Sequence, residues 1–92
     1  MNQEQTLEER IQLMIEAPTE REQVEHVLAD GYAHALKLDA ERLGLERTIS
    51  TLAAWAEHEE AAQELRRAWL RHRTLDGELR ELRGLLGRLK EA

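Results

Sequence analysis

The chain has no cysteine, no phenylalanine and a single proline, and only 3% of its residues are aromatic. Without cysteine there are no disulfides, thiolate metal sites or cysteine nucleophile. With one proline, Pro18, long uninterrupted helices are permitted. Apolar runs reach only a few residues, far short of a membrane span. The opening stretch MNQEQTLEER is polar and acidic, unlike a secretory or mitochondrial signal. These absences point to a cytoplasmic protein with no membrane association.

What is present is charge and helix formers. Charged residues make up 35% of the 92, and Leu, Ala, Glu and Arg dominate, which is the composition of long helices rather than sheets. The length allows one domain, spanning 1–92 with a flexible 1–5, near the lower limit for a useful core. The net charge of −6 is uneven. Residues 1–60 carry 14 acidic and 5 basic side chains, and residues 61–92 carry 5 and 8. An acidic helix lying beside a basic one accounts for this. The excess of Arg over Lys, 11 to 2, suits a GC-rich bacterial genome.

Helix starts are marked twice. Thr6-Leu7-Glu8-Glu9 and Thr19-Glu20-Arg21-Glu22 both have the Thr-x-x-Glu form of a capping box. Pro18 disfavours helix at the residue before it, so a short helix over about 7–16 ends near Ala17. It presents Leu7, Ile11, Met14 and Ile15 on one face.

Beyond it, apolar or small residues fall at 24, 28, 31, 35, 38, 45, 49, 52 and 56, with Arg42 in its slot. The steps alternate four and three, a heptad seam. A second seam runs through Ala61, Leu65, Ala68, His72, Leu75, Leu79, Leu82, Leu86 and Leu89. The short Glu57-His58-Glu59-Glu60 link forces antiparallel neighbours, although it lacks Gly or Pro. Facing pairs then have residue numbers adding to 117: Leu52 with Leu65, Leu45 with His72, Arg42 with Leu75, Ala35 with Leu82, Gly31 with Leu86. Small residues repeatedly meet leucines. The expected fold is therefore all-α, an antiparallel coiled-coil hairpin of about 20–56 and 61–90 with the short first helix. The rival is one continuous helix from 20 to 89 whose seams meet a partner chain.

A bare hairpin buries one stripe and is too weakly stabilised to stand alone. Off the seams lie Val27, Tyr32, Leu36 and Leu43 on the second helix, and Leu70, Leu85, Gly77 and Gly84 on the third. Each interior glycine costs about 1 kcal/mol relative to alanine, which suggests close approach there. The first helix is too short to cover everything, so the sequence predicts a homodimer burying the remainder in a helical bundle.

Four constellations are candidates for function. Arg42 and His72 are polar residues in adjacent core layers, with Glu46 and Asp76 one turn beyond them. They form either a polar pocket or, more simply, a layer that sets register. His26, Asp30 and His34 recur at four-residue spacing with Glu22, a weak metal stripe that also fits a solvated face. Arg66, Arg67, Arg71 and Arg73 could bind phosphate, but the acidic residues beside them and the overall charge favour a protein partner over nucleic acid. Trp55 and Trp69 flank the seam near the turn, as core filling or as partner anchors.

The acidic turn Glu57–Glu60 superficially resembles the tips of the secondary-channel factors of RNA polymerase, which present acidic residues to a catalytic magnesium. That resemblance covers the tip alone, and no second domain is there to dock the hairpin. Dimeric chorismate mutases have similar size and helix content, but they need several cations converging between helices, and only Arg42 is so placed. The sequence thus reads as a non-catalytic protein–protein interaction or oligomerisation module, regulatory or scaffolding, with no cofactor. The alternatives are a small all-α dimeric enzyme or a transcription-associated factor with an acidic tip.

Overall fold

The computed structural model describes residues 6–17 and 19–91, and those residues form an all-α helical hairpin preceded by a short helix. The elements are α1 (Leu7–Glu16), α2 (Arg21–Ala53) and α3 (Glu59–Glu91), with α2 and α3 packed against each other. The expectation of a flexible 1–5 concerns residues outside this range, whereas the expected end of the first helix near Ala17 is met: α1 stops at Glu16 and Ala17 is extended.

The hydroxyl half of the first capping box forms: Thr6 Oγ1 accepts from the Glu9 N–H at 3.1 Å. The second does not. The Thr19 hydroxyl donates to the Ala17 carbonyl at 3.0 Å, and the first carbonyl of α2 to accept is that of Glu20, from Val24. The Thr19 side chain is turned back towards Ala17 and does not accept from the Glu22 N–H, and α2 starts at Arg21.

The hairpin turn also lies earlier than the sequence suggested. Instead of ending at 56, α2 stops at Ala53, and α3 begins at Glu59 rather than 61. Three successive backbone bonds, Ala54 to Thr51, Trp55 to Leu52 and Ala56 to Ala53, tighten the end of α2 by reaching back three residues. Every non-glycine φ among the described residues is negative. The turn therefore needs no glycine, which is why it carries no marker. Ala56, expected in the seam, stands exposed in the turn. Glu59 and Glu60 belong to the first turn of α3, where carboxylates complement the free N–H groups of a helix start.

The described residues divide into two compact units, one within 6–36 with 80–91 and the other formed by 37–79. In the first, the seam is tight. Leu82 and Ile11 have no exposed surface, and Ala35, Leu86 and Leu89 are buried. A methyl group built on Gly31 would run into the Leu86 side chain, so these two face each other as the heptad pairing requires. Val27 and Leu85, both off the seam, are buried as well. The further element in this unit is α1, tied to α2 by Arg10 and Asp30 at 3.8 Å, and its buried Ile11 supplies the third face of the core.

The second unit has two helical arms and no third. Leu38, Ile49, Ala68, Leu75 and Leu79 are buried, while Leu45, Leu52, Ala61 and Leu65 are only partly covered. Cross-helix contacts between Arg42 and Asp76 and between His72 and Glu46 agree with the register seen at Gly31 and Leu86.

Candidate functional site

The residues singled out by the sequence gather in the second unit. Heptad spacing on two antiparallel helices puts Arg42 and His72 into neighbouring layers, and each reaches a carboxylate on the opposite helix. Arg42 Nη1 donates to Asp76 Oδ1 at 3.3 Å, and its Nη2 donates to Asp39 Oδ1 at 2.7 Å. His72 Nε2 lies 3.4 Å from Glu46 Oε2. The pairing is thus crossed relative to expectation, which placed Glu46 beside Arg42 and Asp76 beside His72 along each helix. Asp39 was not foreseen. It precedes Arg42 by three residues, a spacing at which helical side chains are neighbours, and that signal was available.

The hydrogen bond that the Arg42 guanidinium donates to Asp39, foremost, holds its pKa above the ordinary value against the opposing effect of desolvation. Arg42 is therefore a permanent cation bridging the two arms. Its Nε and His72 Nε2 are buried without a hydrogen-bond partner, so this layer is incompletely satisfied. Such a layer contributes to alignment more than to stability. Arg42→Leu is expected to leave the thermal midpoint unchanged or higher while allowing a second assembly state, visible by native mass spectrometry. A single unchanged species would remove the alignment role.

Beside this layer lie two surface clefts. One, of about 370 Å³, is lined by Arg42, Glu46, Ile49, Ser50, Trp69 and His72. The other, of about 300 Å³, is lined by Trp69, Leu70, His72, Arg73 and Asp76. Trp69 is a wall of both, and its ring meets that of His72 edge-on at 6.0 Å. Trp55 sits in the turn itself, its ring 5.9 Å from that of His58. Both tryptophans are more than half exposed, at 57% for Trp55 and 54% for Trp69. They do not fill the core.

The arginine cluster separates by what each member touches. Arg71 is committed within the hairpin, its Nε donating to Glu41 Oε2 at 2.9 Å with Nη2 at 2.8 Å from the same oxygen. Arg66, Arg67 and Arg73 are exposed and engage no carboxylate among the described residues. At helical spacing, Arg66, Trp69, Leu70 and Arg73 form one ridge on α3, apolar at its centre and cationic at both ends.

The proposed metal stripe is not assembled. Asp30 is drawn to Arg10, and no three His, Asp or Glu side chains among the described residues are placed to hold a metal ion. The outer glycines of α3 are likewise not close-approach points within the chain. A methyl group at Gly77 or Gly84 would meet nothing within 4 Å. Gly77→Ala and Gly84→Ala should each raise stability by about 0.5–1 kcal/mol, by removing the entropic cost of glycine in a helix. Urea midpoints measured at concentrations below any self-association would show a decrease if something packs on that row in the monomer.

No helix among the described residues is long and apolar enough to cross a membrane. No known family, curated protein or solved structure matches the chain.

Proposed function

We propose that this chain is a non-catalytic interaction module of the cytoplasm, an antiparallel coiled-coil hairpin that binds a protein partner through the Trp69 ridge of α3 and works as a homodimer. The observation that carries this reading is the placement of its aromatic residues. The core is wholly aliphatic, and Tyr32, Trp55 and Trp69, which are all the aromatics the sequence contains, stand exposed. Large rigid side chains left in water cost stability unless something covers them. Trp, Tyr and Arg are also the residue types that dominate interface energetics.

The ridge has the anatomy of such a site. Trp69 and Leu70 are the apolar centre, with two clefts beside the indole able to take side chains from a partner. Arg66, Arg67 and Arg73 are the cationic rim, unengaged and free to pair with carboxylates. The partner that fits is a segment with an apolar stripe flanked by acidic residues. Arg71 has a different role, because its guanidinium is already engaged by Glu41 of the other arm.

Trp69→Ala and Trp55→Ala should leave helicity unchanged by circular dichroism, since each removes an exposed ring. Trp69→Ala should abolish capture of the partner by tagged protein, and Arg66→Glu with Arg73→Glu should do the same by reversing the rim charge. If the tryptophan variants unfold, or if capture survives them all, this surface is not the interface.

A further inference from the structure

We propose that α2 carries a second interface, on the side turned away from its seam, and that its occupant is α2 of a second copy of this chain, running antiparallel. The proposal rests on the reading of this protein as an interaction module but uses a surface distinct from Trp55 and Trp69.

Ala29, Ala33, Leu36, Ala40 and Leu43 are spaced alternately by four and three along α2, the same rhythm as the seam, so they form one row on that helix. All five are exposed, and Leu36, at 71%, is the most exposed large hydrophobic residue described. Ala29, Ala33 and Leu36 stand in the first unit, and Ala40 and Leu43 in the second. Where α1 approaches the hairpin it does so at Asp30, Val24 and Leu89, none of which belongs to this row. A helix that carries two apolar rows has two neighbours to satisfy, and α3 is one of them.

Size and charge identify the other. Alternating steps of four and three read the same in both directions, so an antiparallel copy can lay its row along this one. The facing pairs are then Leu36 with Ala40, Ala33 with Leu43 and Ala29 with Arg47, each occurring twice about a two-fold axis. Every leucine opposes an alanine, the small-against-large rule that Gly31 and Leu86 obey inside the hairpin. A parallel copy would stack leucine on leucine and alanine on alanine, leaving layers alternately too wide and too thin.

The ends of the row are also self-complementary. Glu25 lies one turn before Ala29, and Arg47 lies one turn after Leu43. Antiparallel docking brings Arg47 of each copy to within a turn of Glu25 of the other, whereas parallel docking sets like charges together. Arg47 has no carboxylate partner among the described residues, and the partner shown for Glu25 is the exposed Arg21 at 3.2 Å. A row that complements itself in both size and charge fits a two-fold dimer, in which each surface patch must match its own copy.

The absence of native cysteine makes the test direct, because introduced thiols have no background. Ala33→Cys and Leu43→Cys chains, full length and otherwise unchanged, are mixed, oxidised and read by intact mass. The expected product is a covalent 33–43 heterodimer in clear excess over either homodimer. Equal residues of the two copies lie about ten positions apart along the axis, roughly 15 Å, beyond the reach of a disulfide. Homodimeric disulfides in equal or greater yield overturn the antiparallel register, as does the absence of any disulfide.

Sedimentation should give twice 10.7 kDa for the native chain and 10.7 kDa for Leu36→Glu, with helicity retained. Glu25→Arg and Arg47→Glu should each weaken the dimer several-fold, and the double variant should recover it. A native monomer overturns this interface while leaving the Trp69 ridge in place. A dimer that survives Leu36→Glu overturns it as well. If Leu36→Glu fails to fold, the 33–43 pattern decides alone. Loss of partner capture on Trp69→Ala with the dimer intact shows the two surfaces to be separate, as proposed.

Discussion

Leu82→Ala should destabilise the protein by about 2–5 kcal/mol, the range for emptying a fully buried leucine site. Leu82 has no exposed surface, and the residue opposite it in the seam is Ala35, too small to fill the space. On α3 its neighbour at four-residue spacing is Leu86, whose own burial is nearly complete. Small domains are stabilised by about 5–15 kcal/mol in total, so the variant loses a large share of what holds it folded. Urea unfolding followed by circular dichroism gives the number. Leu70→Ala is the control. Leu70 is 64% exposed, and removing it should change stability by no more than about 0.5 kcal/mol. Equal costs at the two positions would mean that the α3 seam is not the core.

The second large effect has a sign that local propensity alone would get wrong. Leucine is a better helix former than glycine by about 0.8–1 kcal/mol, so Gly31→Leu would stabilise an exposed helix. In this fold it should destabilise by about 1–3 kcal/mol, as overpacking does. The added side chain occupies the space already taken by Leu86, which is itself buried against α2. Adding Leu86→Ala to Gly31→Leu should cost less than the two single changes together, with a coupling of about 0.5–3 kcal/mol. Additive costs, or a more stable Gly31→Leu chain, would place these residues apart and break the register.

Much of this architecture was legible in the amino-acid order. The heptad steps located both seams, and a short link required them to run antiparallel. Pairing small residues with leucines then gave the register that Gly31 and Leu86 display. The first capping box was legible because its hydroxyl, donor and acceptor all lie within four residues. The Thr19 box looked the same in sequence, but its side chain is turned towards the Ala17 carbonyl, which lies outside the motif. The turn was misplaced by a few residues because backbone bonds reaching back three residues close α2 without any special residue.

The candidate site was legible as a set of residues but not as a set of contacts. Arg42, His72, Glu46 and Asp76 do come together, yet their pairing is crossed: Arg42 reaches Asp76 and His72 nears Glu46 across the helices, while the carboxylate that Arg42 takes on its own helix is Asp39, one turn back. The four arginines looked equivalent. Only the approach of Glu41 singles out Arg71 as structural and leaves Arg66, Arg67 and Arg73 unengaged.

The sequence by itself determined the helices, their hairpin arrangement and which stripe of each is apolar, since periodicity is a property of a single chain segment. Tertiary structure decided which apolar residues outside that stripe are covered. Val27 and Leu85 are buried, while Leu36, Leu43, Trp69 and Leu70 are open to solvent. Hydrophobicity ranks these residues almost alike. Burial depends on whether another element lies within contact distance, and α1, at ten residues, serves the first unit. The uncovered residues are therefore where partner surfaces are to be found.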